Sequence, residues 1–144
     1  MSGQGVLLEK WCGYSAGMPR AAPAPLARVR KICLSFPETS ERLSHGAPSW
    51  FVREKTCFVN YTDNHHGDGR LALWCACPAG MRDGLIRADP ERYFVPAYVG
   101  AHGWIGVRLD RELGWDDVER VIRDAYLAVA PRRLAVIEMR KTNL

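Results

Sequence analysis

Hydrophobic positions along this chain change period several times, and each change marks an element. Leu26, Val29, Ile32 and Cys33 recur at helical spacing, with Arg28, Arg30 and Lys31 set mostly to the other side. Pro37 ends that helix, because the residue before a proline is pushed out of the α region. Trp50–Arg53 and Lys55–Tyr61 are rich in Phe, Val, Thr and Tyr and flank Glu54. They predict a β-hairpin, although the turn lacks an Asn-Gly or Asp-Gly pair. Residues 62–69 form a polar loop, and Arg70–Cys77 resumes as a strand. Leu71, Leu73, Cys75 and Cys77 share one face of it and mark the core side.

Pro78 suits the first turn of a helix that carries Met81, Leu85 and Ile86 on one side and closes at Asp89-Pro90. Residues 93–110 hold aromatics, β-branched residues and three glycines, and read as a strand, a glycine-rich turn and a second strand. The clearest rhythm follows: Trp115, Val118, Val121, Ile122, Ala125 and Val129 keep i, i+3, i+4, i+7 spacing, with Asp116 and Asp117 in the first turn where the helix dipole favours them. Pro131 interrupts it, and Arg132–Met139 restarts as a short terminal helix. The order is α-βββ-α-ββ-α-α. It predicts an α+β single domain of two layers, an antiparallel sheet packed by helices. No period of 20–50 residues repeats, which excludes a solenoid.

Composition adds boundaries. Residues 1–25 are small, polar and Gly/Ala/Pro-rich, and Pro19, Pro23 and Pro25 oppose a helix there. A disordered leader is expected over 1–25 and a folded domain over 26–144. No run of about eighteen apolar residues exists, so a membrane-spanning helix is excluded. With no secretory pattern and an odd number of cysteines, five, without scaffold spacing, the thiols read as reduced and the location as cytoplasmic. The net charge is +4, but residues 1–25 carry +1, residues 126–144 carry +3, and the 14 basic and 14 acidic residues of 26–125 cancel.

With the elements placed, several segments become familiar. Residues 39–48 (Thr-Ser-Glu-Arg-Leu-Ser-His-Gly-Ala-Pro), 55–58 (Lys-Thr-Cys-Phe) and 89–96 (Asp-Pro-Glu-Arg-Tyr-Phe-Val-Pro) are three of them. Tyr98-Val-Gly100, Gly103-Trp-Ile-Gly-Val-Arg-Leu-Asp110, Asp124-Ala-Tyr126 and Ala130-Pro-Arg-Arg-Leu134 are the others. Over residues 26–138 the chain resembles the MmcQ/YjbR family. The resemblance implies a compact domain similar to secretion-chaperone-like folds, and DNA binding through a double-wing arrangement of hairpins.

Three chemistries find no support in the residues themselves. His65 and His66 with Cys75 and Cys77 match neither Cys-x₂-Cys nor His-x₃-His spacing, so no metal site is assigned. Cys57, Ser44, His45 and His102 lack a nucleophile-elbow context, and no catalytic residue is named. Formyl transfer, an activity attached to some proteins resembling this family, would want a Gly-rich phosphate loop between a strand and a helix, and there is none. No cofactor is expected, and the chain reads as a binding protein rather than an enzyme.

For DNA, Arg53, Lys55, Arg70, Arg108, Arg132 and Arg133 are the candidate contacts, making weak and largely electrostatic ones. His102 could join them, and Trp50, Trp74, Tyr98 and Trp104 could offer stacking surfaces. Against that stands the plainer view that the tryptophans fill the core and the charges solvate the surface. The alternative function is a small-molecule- or protein-binding module. Its site would lie at Tyr98, His102 and Trp104, where Gly100, Gly103 and Gly106 permit close backbone approach.

Overall fold

A computed structural model of the chain describes residues 24–111 and 114–142. The expected leader thus lies outside the described residues up to position 23. Helix α1 (Ala24–Leu34) begins two residues before the expected start and takes Pro25 into its first turn. Proline's fixed φ suits that position, and its missing N–H has no partner to lose there. Leu26, Val29 and Cys33 on α1 are fully buried.

The sheet has six strands, one more than the hydrophobic pattern predicts. The addition is β1 (Thr39–Ser44), which pairs antiparallel with β2 (Ala47–Val52). His45 and Gly46, both at positive φ (52° and 79°), form the two-residue turn between them. Ser44-His45-Gly46 is therefore a hairpin turn. The second hairpin joins β2 to β3 (Thr56–Asp63) through residues 53–55, as expected, with Arg53 and Glu54 both left-handed. A bulge opposite Trp50 and Phe51 lets Phe58 turn to the helical side, where it meets Phe36 and Tyr126 edge-on. Strand β4 (Leu71–Cys75) follows, with four of its five residues buried.

Helix α2 (Arg82–Ala88) starts later than Pro78; residues 78–81 form a turn closed by the Met81 N–H on the Pro78 carbonyl. Strands β5 (Tyr93–Phe94) and β6 (Ile105–Arg108) complete the sheet in the order β1-β2-β3-β4-β6-β5, antiparallel throughout. Helices α3 (Trp115–Val129) and α4 (Arg132–Thr142) close the described chain. The protein is a single α+β domain, and no described helix is long and apolar enough to cross a membrane.

One face of the sheet carries the core. Trp50, Val59, Cys75 and Ile105 form one cross-strand row, and Tyr61, Leu73 and Val107 the next, all packed with α1 and α3. Phe36 stacks on Tyr126 at 4.8 Å, and the Tyr126 hydroxyl donates to the Pro37 carbonyl (2.9 Å), which pins the α1–β1 link to α3. Arg30 makes a two-pronged contact with Glu41 (2.8 and 2.9 Å), and Glu41 also accepts the Trp50 indole N–H (3.1 Å). Trp50, a stacking candidate in the sequence, is thus a fully buried core residue. The remaining helices also reach α3: α2 through Leu85 beside Val121, α4 through Glu138 and Arg123. Among the described residues no helix packs on the opposite face.

Candidate binding face

The helix-free face is organised by one row that crosses all six strands. Arg42, Ser49, Asn60, Trp74, Gly106 and Phe94 are successive partners from β1 to β5. At its centre the Asn60 amide donates to Ser49 Oγ (2.7 Å) and to Cys57 Sγ (3.3 Å). Each end carries a cation laid on a ring. The Arg42 guanidinium sits 3.6 Å over Phe51, and the Arg70 guanidinium 4.1 Å over Phe94. Among the described residues neither arginine is ion-paired; Arg42 donates to the Glu54 carbonyl (3.1 Å).

Glycine at 106 makes the second stack possible. The three atoms nearest to where its Cβ would lie all belong to the Phe94 ring, well inside contact distance. Gly100 behaves alike, since a Cβ there would stand 2.6 Å from Val95 Cγ1. The close approach that these glycines permit is made by the chain's own side chains.

Beside the row, two loops fold over Trp74. His65, in a short turn after β3, lies 4.7 Å edge-on to the Trp74 ring, and His66 lies 4.1 Å from His65. Tyr98 approaches both, at 6.1 and 6.0 Å. Tyr98 is 71% exposed, with φ 61° and ψ −68°, and the Val99 N–H bonds back to the Ala97 carbonyl across it. That is a γ-turn, a strained conformation for a residue with a Cβ. Trp74 is 6% exposed, and among the described residues neither its Nε1 nor His65 Nε2 has a hydrogen-bond partner, both atoms being buried.

A family model described as YjbR matches residues 34–128. The chain belongs to the YjbR family. Every member of the cross-strand row, with Arg70, His65 and Tyr98, lies inside the matched stretch of this YjbR chain. Among solved structures it is similar to Deinococcus radiodurans protein DR2400, described as carrying a DUF419 domain. The two share 18% identity with a TM-score of 0.63, over 83% of this chain and 88% of that one, a likeness of fold. No curated protein matches the sequence.

The YjbR fold separates the six basic residues picked from the sequence. Arg53 (3.6 Å) and Arg133 (3.0 Å) converge on Glu38, beside an open cavity of about 310 Å³ lined by Glu38, Thr39, Ser40, Arg53 and Glu54. Lys55 and Arg132 are exposed close by in sequence, at the hairpin tip and at the start of α4. Arg70 and Arg108 sit at the other end of the sheet, about 25 Å away along β3 at roughly 3.3 Å per residue. Arg108 is paired with Asp110 (2.9 and 3.0 Å), and that guanidinium holds the Asp110 carboxyl below the ordinary carboxylate range. The residue missed in the sequence is Arg42, whose strand was not expected.

The ligand trio is also divided. Tyr98 joins His65, His66 and Trp74, whereas His102 is exposed on the 3-10 turn of residues 99–102. Trp104 is half-buried against the core, held through its carbonyl and that of Gly100 by Arg82. Neither the 310 Å³ cavity nor a small one of about 10 Å³ under α2 touches Trp104.

For chemistry, burial pushes the Cys57 thiol up, the opposite of an activated nucleophile, and its polar contacts are the Asn60 amide and the Val59 carbonyl. Cys75 faces the core while His65 lies over Trp74 on the other face. No group of three or more His, Cys, Asp or Glu among the described residues is arranged to hold a metal ion.

Proposed function

We propose that this YjbR-family protein binds nucleic acid without catalysis, and that a single strand lies across the helix-free face of the sheet. The observation that supports this most is the pair of ring-mounted arginines at the two ends of one row. A guanidinium laid flat on an aromatic ring keeps its other face for a stacked base and its N–H edges for phosphate. The row spans five strand spacings of about 4.8 Å, or about 24 Å. That length suits a short single-strand site of roughly four nucleotides. Between the ends, the half-buried Asn60 supplies a neutral polar group, held in place by the buried Ser49, which fits a sequence-tolerant surface. The free thiols Cys33, Cys57, Cys75 and Cys77 accord with a cytoplasmic setting.

This reading moves the contacts away from Arg53 and Arg133, whose charge is shared with Glu38. Fluorescence anisotropy with a labelled oligonucleotide separates the two arrangements. With two phosphate contacts, the slope of log K against log salt is expected near −1.4 for a single strand. Arg42→Ala with Arg70→Ala should flatten it, while Arg53→Ala with Arg133→Ala should leave it. A larger loss in the second pair, or no binding at low ionic strength, rejects the assignment.

A further inference from the structure

The cluster under Tyr98 carries an inference that does not depend on the strand's path across the sheet. Trp74 Nε1 is a donor and nothing else, it belongs to a side chain only 6% exposed, and it has no hydrogen-bond partner among the described residues. Buried donors are nearly always met, so one left unmet marks a place where a partner belongs. His65 Nε2 is in the same condition, on a ring whose centre lies 4.7 Å from that of Trp74. Two unmet ring nitrogens therefore belong to neighbouring rings in edge contact. His66 and Tyr98 close the cluster with aromatic surface.

Tyr98 is lightly held at the edge of this cluster. Tyr98 holds a strained backbone angle, its ring is 71% exposed, and the ring contacts that keep it in place are edge contacts to two histidines. Behind it the 3-10 turn ends at Gly103, at φ 85°, where a change in backbone direction costs little. A strained residue held by few contacts is the kind of element that opens for a ligand.

We propose that Trp74 and His65 form the floor of a slot for one nucleobase, with Tyr98 as its flap. The indole N–H needs an acceptor. Histidine with its proton on Nδ1 offers Nε2 as an acceptor and so needs a donor. A donor beside an acceptor on the rim of a flat heterocycle is what the edge of a nucleobase presents. Tyr98 and His66 supply stacking walls, as in sites that take a base out of a strand. A free nucleoside and a base within a strand present the same chemistry to this slot.

The test titrates the full chain with adenosine and with uridine, with ribose as the sugar control. Readouts are tryptophan fluorescence and the indole N–H NMR signals. The Trp74 signal, assigned by its loss in Trp74→Phe, should shift with a nucleoside and not with ribose. Trp74→Phe keeps a ring but removes the donor, and should weaken binding roughly tenfold, the order of one buried donor. Tyr98→Ala should weaken it about fivefold or more through the lost wall, and Tyr98→Phe should not. Should Trp74→Phe fail to fold, His65→Phe serves, with the same expected loss.

Unchanged affinity in the folded donor-deleting variant, or no Trp74 shift with either nucleoside at millimolar concentration, overturns the slot. Arg42→Ala with Arg70→Ala should keep nucleoside binding while losing the oligonucleotide. Failure of the slot and failure of the sheet-face reading are thus seen separately. An oligonucleotide that shifts the Trp74 signal as the nucleoside does places the base in its strand. A nucleoside that alone shifts it assigns the slot to free ligand.

Discussion

Replacing Gly106 by alanine would test how the binding face is assembled. The new methyl group would fall inside the Phe94 ring, to which its three nearest atoms all belong. The ring would have to lift, carrying with it the support under Arg70. Overpacking of this kind costs about 1–3 kcal/mol. For a domain of this size that is roughly 4–12 °C in melting temperature. The decisive comparison is a double-mutant cycle with Phe94→Ala, followed by urea or thermal unfolding. Once the ring is gone the methyl meets no Phe94 atom, so in that background Gly106→Ala should cost no more than about 0.5 kcal/mol, and alanine's better fit to a strand offsets part of it. A coupling of about 1 kcal/mol or more between the two sites is therefore expected. Strict additivity would refute the claim that position 106 is glycine because Phe94 lies on it. The single variant should also weaken oligonucleotide binding, since Arg70 loses its mount.

Two further outcomes follow from the core. Glu41→Gln should destabilise the fold by about 1–3 kcal/mol in urea, because it removes the charge that holds Arg30 and also receives the Trp50 N–H. Burial pushes the Tyr126 phenol up to about 12. A group whose folded pKa is raised contributes stability below its unfolded pKa, near 10, and loses it as pH rises toward 12. Stability should therefore fall across that window, and Tyr126→Phe, though about 1 kcal/mol less stable at neutral pH for want of its bond to Pro37, should show a shallower alkaline fall.

Most of the scaffold could be read from the chain because its signals are local. Val118, Val121, Ile122 and Ala125 keep helical spacing because α3 lays one stripe on the sheet, and those residues are buried together with Tyr126. β1 escaped notice because Thr39–Ser44 is a polar edge strand. Its one apolar residue, Leu43, points to solvent at 70% exposure, so no alternation exists to detect. The available clue was the His45-Gly46 pair, with glycine at the second position of a two-residue turn. Missing β1 meant missing Arg42, and with it one end of the row. The proline at 25 misled in the other direction, since proline breaks a helix interior but not its first turn.

The site was less legible because its contacts are distant in sequence. Tyr98, His102 and Trp104 look like one cluster on paper, yet the γ-turn and the 3-10 turn send them in three directions. Tyr98 meets histidines more than thirty positions earlier. Likewise Arg53 and Arg133 meet through Glu38, a pairing that charge counting cannot reveal.

The central claim, that nucleic acid lies on the helix-free face, is tested most directly by an amide NMR titration with a short oligonucleotide at low salt. The account predicts shifts that run along Arg42, Ser49, Asn60, Trp74 and Phe94 and leave α3 and α4 unmoved. Shifts gathered instead at Arg53, Lys55, Arg132 and Arg133, or no shifts at all, would contradict it.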